Sequence, residues 1–63
     1  MKELDIVKLN KDFNGVPVGT VGTIELEYDG TCFEVEFFDR DGDTIDVLTT
    51  PKTMLDLVSE YNI

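Results

Sequence analysis

Three aspartates at alternate positions, Asp39, Asp41 and Asp43, reproduce the spacing of the first three ligands of an EF-hand loop, an arrangement that would suit calcium. The rest of that loop is missing. Counting from Asp39, the position that needs the turn glycine holds Thr44, and the one that needs a bidentate glutamate holds Thr50. A hairpin turn accounts for the same residues without an ion. Paired carboxylates are the raw material of general acid–base catalysis, but they need a concave pocket and environments that separate their pKa values, and a convex strand face supplies neither. Ser59 is the only serine, and no histidine exists to activate it. Cys32 is the only cysteine, so it has no internal disulfide partner, and the lack of histidine excludes a Cys/His zinc site within one protomer. A redox role would need a thiol pKa lowered by nearby positive charge, whereas Glu27 and Glu34 are its expected neighbours. No enzyme acting alone, no metal and no cofactor is expected.

The elements that carry these residues are strands. Between residues 23 and 47, apolar and acidic side chains alternate: Ile24, Leu26 and Tyr28 with Glu25 and Glu27, then Phe33, Val35 and Phe37 with Glu34 and Glu36, then Ile45 and Val47 with Asp46. Period two is the signature of half-buried strands, with one apolar face and one carboxylate face. A chain of 63 residues makes one domain, here taken as 1–63, near the lower limit for folding without disulfide or metal. No apolar run approaches the roughly 18 residues that span a bilayer. The start of the chain carries no apolar secretory region, which points to a cytoplasmic protein. Fourteen acidic against five basic residues give a net charge of −9, which repels nucleic acid and anionic lipid, so neither is an expected partner.

Residues 4–9 read as a first strand with Val7 and Leu9 inward and Lys8 outward, and residues 10–19 as a long loop anchored by Phe13 and Val18. Gly19 and Gly22 mark bending or close approach at the opening of the second strand. Asp29-Gly30 as a two-residue turn pairs Leu26 with Phe33 and Ile24 with Val35. The next turn needs an odd count, because a two-residue Asp41-Gly42 turn would place Asp46 opposite Phe37, in the core. Arg40-Asp41-Gly42, with Gly42 left-handed, instead pairs Phe37 with Ile45 and Val35 with Val47. Pro51 ends the fourth strand, residues 51–55 make one 3₁₀ turn, and residues 57–61 supply a last strand with Leu57 or Val58 inward. The expected fold is all-β, a five-stranded SH3-like small barrel with a short 3₁₀ turn before the last strand. Its expected core is Val7, Leu9, Phe13, Val18, Ile24, Leu26, Phe33, Val35, Phe37, Ile45, Val47 and Leu57.

The run Leu4-Asp5-Ile6-Val7-Lys8-Leu9, the Asp12-Phe13 loop, Gly19-Thr20-Val21-Gly22-Thr23-Ile24, Phe33-Glu34-Val35-Glu36-Phe37, Asp41-Gly42 and Leu48-Thr49 together resemble an uncharacterised bacterial family, domain of unknown function 4926. The resemblance covers nearly the whole chain. Its most specific parts are the Gly-Thr-Val-Gly-Thr and Phe-Glu-Val-Glu-Phe blocks, neither of which is catalytic, while Asn14-Gly15-Val16-Pro17 is a plain loop tip. The pattern is more distantly similar to SH3-like docking subunits of redox complexes and to KOW-type translation barrels. The family resemblance also implies neighbouring genes of toxin and immunity type.

In the expected register Glu25 faces Glu34 and Glu36 faces Asp46, and each like-charged pair costs about 0.2–1 kcal/mol. Phe38 and Leu48 point outward beside them. Apolar groups inside an acidic rim look like an interface core, so Glu25, Glu34, Glu36, Phe38, Asp46 and Leu48 form the expected binding face for another protein with a basic surface. The function expected is a non-enzymatic protein-binding module, in the manner of an immunity or antitoxin-like inhibitor. An accessory docking subunit of a redox complex is one alternative, although ferredoxins are acidic and would be repelled. The other is a surface whose charge serves only solubility.

Overall fold

The computed structural model describes residues 1–62. Its elements are β1 (Ile6–Leu9), β2 (Val21–Glu27), β3 (Cys32–Phe38), β4 (Thr44–Pro51), a 3₁₀ turn at Lys52–Met54, and β5 (Leu55–Ser59). All neighbouring strands are antiparallel. They form one open sheet in the order β4-β3-β2-β1-β5, in which β4 and β5 are edges. No helix among the described residues is long and apolar enough to cross a membrane.

β1 begins two residues later than the apolar pattern suggests, because Leu4 has a φ of 72° and lies in a turn closed by the Asp5 N–H to the Lys2 carbonyl. The Asp5 side chain is buried at 1% exposure and clasps both ends of the chain. Its carboxylate accepts from Lys2 Nζ (2.9 Å), from the Lys2 backbone N–H (2.9 Å) and from the Tyr61 N–H (2.8 Å). The Lys2 side chain first, then the Tyr61 amide, hold its carboxyl down at about 2.

Val7, Leu9, Ile24, Phe33, Val35 and Phe37 fill the core as the alternation requires. Val16 and Leu55 complete it, with Met1, Phe13, Leu48 and Met54 packed at its margin. Val16 replaces Val18 for a local reason. Asn14 and Gly15 both have positive φ, as a type I′ turn demands, so Phe13 and Val16 exchange backbone hydrogen bonds of 2.9 and 2.8 Å and share a face. Val18, beyond Pro17, is 57% exposed. Leu55 replaces Leu57 because β5 starts two residues earlier than expected and sets Leu55 opposite Leu9.

Bulges decide the rest. The first hairpin turns through three residues, with the Tyr28 N–H bonded to the Cys32 carbonyl and the Asp29 carboxylate accepting from Thr31. Ile24 still faces Val35, but only because Glu25 is an extra residue in β2, which leaves Leu26 opposite Glu34 and outside the core. The second hairpin forms its expected Arg40-Asp41-Gly42 loop, Asp39 pairing with Asp43 and Gly42 at φ 85°. The Asp39 carboxylate closes it, accepting from the backbone of Asp41 (2.9 Å) and Asp43 (3.0 Å). One step later Ile45 is an extra residue in β4, so Phe37 faces Asp46, Glu36 faces Val47 and Val35 faces Leu48. Ile45 and Val47 are thereby outside, not in the core.

Candidate functional site

The outward face of β2, β3 and β4 carries the acidic residues that the alternation singles out. With Ile24 and Val35 inward, Glu25, Glu34 and Glu36 point to the other side. Hydroxyl groups hold two of them in place. Glu34 accepts from Tyr28 Oη (3.1 Å) and Thr49 Oγ1 (2.9 Å), and Glu36 accepts from Thr44 Oγ1 (2.6 Å). The Glu36 carboxyl beside Glu25, by hydrogen bond and by charge, pushes Glu25 above its ordinary 4.5. Glu34 in the same way raises the Tyr28 phenol.

Two expected members of this face are elsewhere. Leu48 pairs with Val35 and packs on the core margin, so it faces inward. Asp46 lies opposite Phe37 and is exposed because β4 is an edge strand, where water reaches both faces. The expected Glu36–Asp46 repulsion therefore does not arise. Instead the Asp46 carboxylate takes the Val47 N–H at 2.8 Å. With Pro51, which has no N–H, it removes donors from the strand that another chain would have to pair with.

Their places are taken by apolar residues. Val21, Leu26, Ile45 and Val47 are each between 42% and 46% exposed, and Phe38 is half-buried beside them. Counting back by twos from Glu25 assigns Val21 to this face, so its signal is present in the sequence. Nothing in residue type marks the extra residues Glu25 and Ile45, which is why the alternation alone assigns Leu26 and Val47 to the core. The face is thus an alternation of carboxylates and large apolar groups. Its acids lie on a partly exposed strand face, and Cys32, half-buried 4.0 Å from Asp29 Oδ1, stands apart at the first hairpin.

At one end the face opens into a groove of about 540 Å³ between residues 17–21 and the β3–β4 hairpin. Pro17, Val18, Val21, Phe38 and Ile45 supply its apolar lining and Arg40 a cation at the hairpin side. No curated protein and no solved structure matches the chain. A family model does match, over residues 3–57, and so covers β1 to β4 and the first residues of β5. The chain belongs to the family described as Domain of unknown function (DUF4926).

Proposed function

We propose that this protein is a non-enzymatic binding module that docks a basic protein partner through the outward face of β2, β3 and β4. The observation that carries the reading is the uncovered alternation of Glu25, Glu34 and Glu36 with Val21, Leu26, Phe38, Ile45 and Val47. Carboxylates speed encounter with a basic surface, and the apolar groups between them supply short-range energy once water is expelled. A face serving solubility alone has no use for large exposed apolar side chains at this density. The hydroxyl bonds to Glu34 and Glu36 fix those carboxylates before a partner arrives, which lowers the ordering cost of binding. An inhibitor of immunity or antitoxin type, covering a basic protein, is the form of this role that the family resemblance favours.

The fold reading that goes with it is an SH3-like small barrel. Support comes from the strand order β4-β3-β2-β1-β5, the long first connection and the 3₁₀ turn before β5. The experiment is capture from lysate of the native cell with the wild-type protein and the Glu34→Lys/Glu36→Lys variant as baits. A basic protein retained by the wild type and lost by a folded variant is the expected result. Equal retention of that protein by both baits at low salt overturns the reading.

A further inference from the structure

The groove at the end of this face is built before any partner arrives. One wall, residues 17–21, is held by backbone bonds from the Gly19 N–H to Leu9 O (2.8 Å) and from the Leu9 N–H to Thr20 O (3.0 Å). The Asp12 carboxylate adds a bond from the Val18 N–H at 2.8 Å. The other wall is the β3–β4 hairpin, closed by Asp39 from within. Its volume of about 540 Å³ exceeds what one side chain fills and is within the range of segment and ligand sites.

Spacing relates the groove to the carboxylates. Phe38 in the groove and Glu36 on the open face are two residues apart on β3, roughly 6–7 Å along the strand. An extended peptide repeats its side chains on one face at that same interval. A peptide residue two positions from one seated against Phe38 therefore arrives over Glu36, where Glu25 also lies. Charge complementarity names that residue: Glu36 accepts from the Thr44 hydroxyl and lies against Glu25, and among the described residues neither carboxylate forms an ion pair with a lysine or arginine. The same contact with Glu36 raises the Glu25 pKa.

Resting on the reading of the face as a site for a basic partner, we propose that the partner is held by an extended segment. In it a large apolar side chain seats against Val18, Val21, Phe38 and Ile45 in the groove, and a lysine or arginine two positions away meets Glu36 and Glu25. The apolar residue supplies affinity by leaving water, and the cation sets the register.

The test is an amide NMR titration of the full chain at about 0.01 M salt, where the Debye length of about 30 Å leaves the carboxylates unscreened. Three blocked peptides serve as probes: Lys-Phe-Gly-Arg-Lys, Lys-Ser-Gly-Arg-Lys, and Lys-Phe-Arg-Gly-Lys. The first is expected to bind about tenfold or more tightly than the second, moving the amides of Val18, Val21 and Phe38 together with those of Glu25 and Glu36. The third, with its arginine out of step, binds more weakly than the first. In the Val18→Ser/Ile45→Ser variant, whose altered residues are exposed and outside the core, the advantage of phenylalanine disappears. Equal affinity of the first two peptides, with shifts confined to Glu25, Glu34 and Glu36, overturns the groove proposal and leaves the face reading standing. Equal affinity of the first and third overturns the stated spacing. Absence of shifts at Glu25, Glu34 and Glu36 with every peptide overturns the face reading as well.

Discussion

Replacing Gly22 by alanine tests the packing that places the whole β2–β3–β4 face. Gly22 is on β2 between Val7 of β1 and Phe37 of β3, in the middle of the sheet. A Cβ there would meet Val35 Cγ1 at 2.7 Å, the Glu36 carbonyl oxygen at 2.8 Å and Phe37 Cδ1 at 2.9 Å. To restore ordinary contact at 3.4 Å the nearest atom must retreat by roughly 0.7 Å. Neither Val35 nor Phe37 has room, since both are fully buried, and the third atom is backbone in the adjoining strand. β2 has no freedom to move the other way, because β1 is bonded to its far side.

Overpacking of this kind costs about 1–3 kcal/mol, here at the upper end, while the stiffer unfolded chain of the alanine variant offsets about 0.4–1 kcal/mol. The net loss is about 2 kcal/mol, out of a total of about 3–9 kcal/mol for a domain of this length. For such a small domain that corresponds to a fall in Tm of roughly 8–16 °C by thermal unfolding followed with circular dichroism. Gly15→Ala is the control, with nothing within 4 Å of the added Cβ and only the cost of its φ of 82°. A Gly22→Ala Tm within about 3 °C of wild type would refute the close approach of β2 to β3.

The register of β4 is tested by Leu48→Ala against Val47→Ala: the former, at the core margin, should cost about 1–3 kcal/mol in urea unfolding and the latter, outside, within about 0.5 kcal/mol, the reverse order restoring Val47 to the core. Stability should pass through a maximum in mildly acidic solution. Glu25 has a folded pKa above its unfolded 4.5, so the folded state binds more protons there and stability rises as pH falls through that interval. Asp5, at about 2 against 3.8 unfolded, has the opposite sign, and its contribution is present above 3.8 and lost as pH falls toward 2. Asp29, lowered by the Thr31 hydroxyl and amide, adds to that acid loss. Denaturation midpoints against pH should lose the acid-side rise in Glu25→Gln and a large part of the acid-side fall in Asp5→Asn; a profile unchanged in both variants contradicts these assignments.

Much of the fold was legible from period two alone, since Val7, Leu9, Ile24, Phe33, Val35 and Phe37 are all inward as counted. The turn chemistry of Arg40-Asp41-Gly42 was legible too. What failed was the step from a turn to the strand beyond it. Parity keeps Asp46 out of the core only if facing Phe37 means burial. At an open sheet edge it does not: Asp46 faces Phe37 and still reaches water. That freedom lets β4 absorb an extra residue at Ile45, and the strand's apolar pair then turns outward. Glu25 is the same case on β2, an unmarked bulge that keeps Ile24 against Val35 while Leu26 leaves the core. For the candidate face the consequence is an exchange, Asp46 and Leu48 giving way to Val47 and Ile45. Its carboxylates Glu25, Glu34 and Glu36 stay on that face, but Glu25, expected opposite Glu34, lies beside Glu36 instead. The Asp5 clasp depends on Tyr61, 56 positions distant in sequence, and no local pattern announces such a contact.

The most direct measurement of the docking claim is a footprint. Amide hydrogen exchange of the free protein and of its complex with the captured basic partner reports which strands the partner covers. Protection is expected on β2, β3 and β4 at Thr23, Glu25, Glu34, Glu36 and Val47, with β5 unchanged at Leu57 and Val58. Protection concentrated on β5 and β1, with β3 and β4 unchanged, would contradict a docking site on the acidic and apolar face.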